Sequence, residues 1–215
     1  VHHALARTAD AVVVVDKLTY AANPQALASF RDDRRVTFVQ ADIADRAAVQ
    51  AMVQNIVADH GALNILVNNA GLTLTFVAPD LYTRPTPRRF YESSDEVIRG
   101  IYETNCMAPE MMAARLAPAM VERGWGRILN VTTMLPTMQR PGFCPYGSSK
   151  AALEMASMVW AQELDGTGVR VLATYGATEF TQNVTQAPRD GDPKYGSAGL
   201  RVPYTEVKVV ELDDA

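Results

Sequence analysis

The chain has 215 residues, 48% of them hydrophobic and 20% charged, with a net charge of −4 at pH 7. That profile suits one folded domain over 1–215 with a core of its own, and the negative balance argues against nucleic acid or an anionic membrane as a partner. Two cysteines, Cys106 and Cys144, without CxxC spacing, argue against a disulfide scaffold and fit a reducing, cytoplasmic setting.

Along the chain, strand-like and helix-like runs alternate. His2 and His3 are adjacent near one end, which argues against a metal site. No apolar run approaches the length of a membrane span, and no signal peptide is visible. "AVVVV" (11–15) is a continuous apolar run, as in a strand covered on both faces. Residues 24–30 read as a helix and "VTFVQ" (36–40) as a second strand. Over 45–59, Val49, Met52, Val53, Ile56 and Val57 recur at spacings of three and four, an amphipathic helix. "NILV" (64–67) is a third strand. Arg84, Arg88 and Arg89 are interleaved with prolines and read as a solvated loop. Ser93 with Glu96 predicts a capping box for a helix over 94–121. "RILNV" (127–131) is a fourth strand, 147–164 a helix, and "VRVLAT" (169–174) a fifth strand. This order calls for a mostly parallel sheet with helices on both faces. The helix over 147–164 is apolar nearly all round, as are residues 107–121. A homodimer or homotetramer through helices 94–121 and 147–164 is therefore expected.

Ligands of parallel sheets sit beyond the carboxyl ends of the strands, so the residues following each strand are the candidates for chemistry. Asp16, followed by Lys17, ends the first run. An acid there suits ribose hydroxyls and repels a 2′-phosphate, which favours NAD over NADP. After the second strand come Asp42, able to accept from an adenine amine, and Ile43. After the third comes "NNAG", where Asn69, Ala70 and Gly71 let backbone approach a flat ligand and asparagine amides can tie neighbouring strands together. Thr132 and Thr133 follow the fourth strand. Tyr146 and Lys150 then lie four apart at the start of a helix, on one face. An ammonium beside a phenol favours the phenolate, so Tyr146 could hand a proton to a carbonyl oxygen that Thr133 also binds. Tyr204 and Lys208 repeat the spacing in "PYTEVKVVEL", a strand-like pattern that would hold them about 13 Å apart.

"NNAG", "NVTT" and "YGSSK", in this order and at these separations over residues 11–176, resemble the short-chain dehydrogenase/reductase family. The resemblance implies a three-layer, Rossmann-like, doubly wound α/β fold. It also implies an NAD(P)-dependent oxidoreductase that interconverts a secondary alcohol and a ketone. On that pattern Tyr146 is the acid/base, Lys150 lowers its pKa and binds the nicotinamide ribose, Thr133 takes the serine position and Asn105 the relay position. Tyr175 and Gly176 stand where the family has Pro-Gly after the fifth strand, beside the nicotinamide. "VVVVDKLTYAANPQAL" with "ADIAD" is also similar to nucleotide-sugar dehydratases. Thr132-Thr133-Met134 replaces their Thr-Asp-Glu, however, so the acid pair for eliminating water is missing.

Against the family pattern the chain lacks the first strand and Gly-rich turn, roughly 15 to 20 residues that would precede Val1. One reading is that "VKVVEL" (207–212) fills the resulting gap between 11–15 and 64–67. Another is a non-catalytic scaffold that has lost dinucleotide binding. Residues 177–215 depart from the family. Loops 72–92 and 177–196 are the expected substrate walls, and "GDPKYGSAG" (191–199) reads as flexible.

Overall fold

A computed structural model of the chain describes residues 1–19, 24–30, 32–177, 182–186 and 200–201. After a short helix α1 (His2–Arg7), strand β1 (Val12–Asp16) carries four half-buried valines in a row and pairs in parallel with β2 (Val36–Gln40), Val12 opposite Val36. Between them Pro24–Phe30 winds as a 3-10 helix, not as an α-helix. Seven residues opening on a proline are too few to stabilise a regular α-helix, and the tighter turn suffices as a connector.

Helix α2 (Arg46–His60) starts where Asp45 accepts hydrogen bonds from the amides of Ala47 and Ala48 and ends at Gly61. Val49, Met52, Val53 and Ile56 are buried as the spacing predicts. Val57, predicted in the same stripe, is 38% exposed, because the fifth position rotates past the edge of the buried face.

Strand β3 (Ile65–Asn68), β4 (Gly126–Thr132) and β5 (Val169–Ala177) are parallel neighbours, with crossovers made by α3 (Leu74–Val77), α4 (Asp95–Tyr102), α5 (Ala108–Glu122), a short α6 (Leu135–Met138) and α7 (Tyr146–Glu163). Parallel neighbours require such helical crossovers, which supply the layers on the sheet faces. Residues of α2 meet Leu66, Ile128 and Val169 of the strands and Met112, Leu116 and Met120 of α5, while Val13, Val15 and Val39 pack against the same cluster. The β1–β2 pair and the larger sheet therefore share one core. Each fully buried side chain of this cluster contributes about 1.5–3 kcal/mol.

Four expectations are corrected here. The cap of α4 is Ser94, whose Oγ accepts from the Val97 amide. Ser93 lies one residue too early, which places Glu96 second in the helix and not third. The helix expected over 94–121 is interrupted by a π turn, Glu103–Met107, in which the Ala108 amide reaches the carbonyl of Glu103, five residues back. Pro109 has no N–H for the carbonyl of Asn105, so the regular ladder lapses at this point. Finally, β5 runs to Ala177, so Tyr175 and Gly176 lie within the strand and not after it. The region expected as a loop over 177–196 contains β6 (Gln182–Gln186), antiparallel to β5, and β7 (Leu200–Arg201) is antiparallel to β6. Pairing between backbones, with a bulge between Tyr175 and Gly176, makes this extension.

Among the described residues β1 pairs only with β2, and β3 only with β4. Residues 191–199, Tyr204, Lys208 and the segment 207–212 lie outside the described residues. Met155 and Val159 on α7 are 52% and 45% exposed, and Met107 beside α5 is 45% exposed, so the outer faces of both helices stay apolar in the single chain. No described helix is long and apolar enough to cross a membrane.

Candidate active site

The carboxyl ends of β3, β4 and β5 meet the first turn of α7 and the π turn. The wide turn holds Asn105 fully buried and aims it out of the helix. Its Oδ1 accepts from the Leu72 amide at 2.8 Å, and its Nδ2 donates to the Leu72 carbonyl at 2.9 Å and to Ser149 Oγ at 3.2 Å. Ser149 Oγ in turn donates to the carbonyl of Tyr146 at 2.7 Å. One amide therefore fastens the loop after β3 to the opening turn of α7, where Tyr146 begins the helix.

Lys150 follows Tyr146 by one turn and is only 5% exposed. Its Nζ donates to the carbonyl of Val131 in β4 at 2.8 Å. Gly71 lies against both buried groups: a Cβ at that position would be 3.2 Å from Asn105 Oδ1 and 3.5 Å from Lys150 Nζ. Only glycine leaves that space open, so the loop after β3 offers bare backbone beside an ammonium, a place a flat ligand can approach. Thr132 and Thr133 are buried at the end of β4, with Thr132 Oγ1 donating to the Thr174 carbonyl at 3.4 Å. Behind them Asn68 Nδ2 donates to Asn130 Oδ1 at 2.8 Å, and Asn130 Nδ2 donates to Ser157 Oγ at 2.7 Å. These bonds tie β3, β4 and α7 together, as the asparagines of the third strand's end suggest.

A second group forms at the ends of β1 and β2. The exposed Asp16 accepts from the Leu18 amide at 2.6 Å. Lys17 is ion-paired with Asp42, whose other oxygen accepts from the Ala44 amide at 3.0 Å. Ile43 turns partly inward and packs on the core cluster. Asn69 and Ala70 are exposed on the loop after β3. The backbone of Tyr175 is in register with Thr132. The structure thus sets Gly71 beside both Asn105 and Lys150, with Tyr146 on the same helix as Lys150 and Thr133 at the adjoining strand end, while Asp16, Lys17 and Asp42 form the separate group. Sequence reasoning missed Ser149 and Ser157. A serine within a helix often bonds a carbonyl three or four residues back, and "YGSSK" contained that signal. Among the described residues no group of three or more His, Cys, Asp or Glu could hold a metal ion.

Burial pulls the Lys150 pKa from its ordinary 10.5 down to about 8. Between these values the unfolded chain still holds the proton that the folded chain has released, so folding stability rises with pH across that window. Denaturant titrations at about pH 7 and about pH 10 should show the wild-type chain gaining roughly 1–3 kcal/mol relative to the Lys150→Met variant. A difference between the two proteins that does not change with pH would contradict a buried, titrating ammonium.

A family model described as short chain dehydrogenase matches residues 1–190, and the chain belongs to the short-chain dehydrogenase/reductase family. It is similar to a short-chain type dehydrogenase/reductase of Picea abies, 33% identical over 64% of this chain and 47% of that one. It is also similar to the NADP-dependent 3-hydroxy acid dehydrogenase YdfG of Escherichia coli O6:H1, 32% identical over 71% of this chain and 58% of that one. Among solved structures, 3-ketoacyl-(acyl-carrier-protein) reductase from Brucella melitensis complexed with NADH superposes with a TM-score of 0.62 at 27% identity, covering 75% of this chain and 63% of that one. The fold is accordingly the family's Rossmann fold. The chain spans about half the length of the curated relatives it matches, 47% and 58% in these two cases.

Proposed function

We propose that this chain carries the catalytic group of an NAD(P)-dependent oxidoreductase that interconverts a secondary alcohol and a ketone, with Tyr146 as the acid/base. The observation that carries this reading is the buried Lys150 ammonium, one helical turn from Tyr146, beside the open backbone of Gly71. Below pH 8 that ammonium is charged, and a fixed positive charge next to a phenol favours its ionised form. Tyr146 would then give its proton to the carbonyl oxygen during reduction and take it back during oxidation. Thr133 would donate a hydrogen bond to the same oxygen. Asn105, through Ser149, holds the first turn of α7 in place.

A dinucleotide fits the residues present: Gly71 leaves space that any side chain would fill, and Asp16 presents an exposed carboxylate. NAD(P), when bound, supplies or accepts the hydride. Asp16, Lys17 and Asp42 would hold its adenosine end, and Asn69, Ala70, Gly71, Lys150 and the Tyr175–Gly176 backbone its nicotinamide end. The names of the relatives support both cofactors, one being NADP-dependent and one solved with NADH. The Asp16 carboxylate favours NADH by repelling a 2′-phosphate, while Lys17 is already engaged by Asp42. The exposed apolar faces of α5 and α7 support assembly into a homodimer or homotetramer. Titration with NADH and NADPH, followed by nicotinamide fluorescence, should show saturable binding of both and tighter binding of NADH. An absence of binding, both by this chain and after residues upstream of Val1 are restored, would favour a scaffold over the oxidoreductase reading.

A further inference from the structure

We propose that the cleft between residues 88–90 and 140–144 is an anion subsite for the carboxylate or phosphate group of the substrate, a specificity element that rests on the oxidoreductase reading. The cleft has a volume of about 300 Å³, and its lining contains three arginines, Arg88, Arg89 and Arg140, and no acidic residue. Phe90 forms an apolar wall. In a chain of net charge −4, three arginines lining one cleft are a local reversal of sign.

The local charges are unbalanced. Asp80 serves two arginines, lying 3.2 Å from Arg84 and 3.9 Å from Arg88. Arg89 and Arg140 form no ion pair among the described residues. Among the described residues the buried Nε of Arg88 and the buried Oδ1 of Asp80, which faces Arg88 Nη2 at 3.9 Å, have no hydrogen-bond partner. Guanidinium groups bind carboxylate and phosphate oxygens in pairs, which suits this class of ligand and not a neutral one.

The cleft is also held in shape and in position. A Cβ on Gly142, which has φ +87°, would lie 3.2 Å from Pro87 Cβ and 3.5 Å from the Arg88 carbonyl, so the two loops close on each other only because glycine stands there. Cys144 lines the cleft two residues before Tyr146, so one edge of the cleft adjoins the start of α7. An anionic group seated there would tether a substrate whose reacting carbonyl extends towards Tyr146.

Calorimetric titration of the full chain, without nucleotide, with malonate and separately with inorganic phosphate should show saturable binding. The tighter of the two identifies the favoured oxyanion. The double variant Arg89→Gln/Arg140→Gln should weaken that binding by about tenfold or more. Arg46→Gln, at the exposed start of α2, should leave it unchanged. In turnover, a keto acid should show a lower KM than its methyl ester, and the double variant should raise KM for the acid alone. No saturable anion binding, or binding indifferent to the double variant, overturns the proposal. Anion binding without nucleotide binding keeps the subsite and removes the oxidoreductase reading; nucleotide binding without anion binding does the reverse.

Discussion

Replacement of Tyr146 by phenylalanine should lower kcat by about 10²–10⁴-fold while nucleotide affinity stays within roughly twofold of wild type. The substitution removes one oxygen and keeps the ring, so α7 can begin at the same residue. Asn105, Ser149 and Lys150 hold their positions through bonds to the Leu72 backbone, the Tyr146 carbonyl and the Val131 carbonyl, none of which uses the phenol. On the proposed reading, the group removed is the proton donor. Single-turnover measurements with saturating nucleotide would separate this from a folding defect, because binding persists while the chemical step disappears. Turnover retained near the wild-type rate would show that another group moves the proton.

The largest effect on stability is expected at Gly168, where alanine should cost about 3 kcal/mol or more. Gly168 has φ +82°, and a Cβ there would fall 2.0 Å from the carbonyl oxygen of Gly124. This is a backbone-to-backbone contact between the turn leading into β5 and the turn leading into β4. No side chain can rotate away to relieve it, so one of the two strands must shift. Gly166, in the same turn, has φ +74° with nothing within 4 Å of its Cβ position. Alanine at Gly166 should therefore cost only the left-handed backbone penalty, about 1–2 kcal/mol. Urea denaturation of both variants isolates the steric component. Equal losses would mean that the close approach of the two turns contributes nothing.

The parts of the fold that could be read from the sequence are those set by local periodicity. The valine run of β1, the stripe of α2 and the alternation of strands with helices all arise from near neighbours in the chain, and each reappears in the structure. The parts that could not be read are set at long range. Asn105 reads locally as an ordinary helix residue; its partners, Leu72 and Ser149, are 33 and 44 residues away. Strand β6, whose sequence carries a single apolar residue, is paired antiparallel with β5. The arginines at 88 and 89 read as a solvated loop until Arg140 is brought opposite them. The motifs singled out Gly71, Asn105, Tyr146 and Lys150, of which Gly71 lies beside both Asn105 and Lys150. Ile43 shows the limit of reading by position alone, since its side chain belongs partly to the core.

The π turn at Glu103–Met107 has a consequence for how this chain can change. A helix residue turns the chain by about 100°. Excising one residue from the widened segment would restore an ordinary ladder upstream of Pro109, yet it would swing the Asn105 amide roughly a quarter-turn away from Ser149. The length of this segment is thus constrained to the single residue, although its composition could drift freely at the solvent-facing positions.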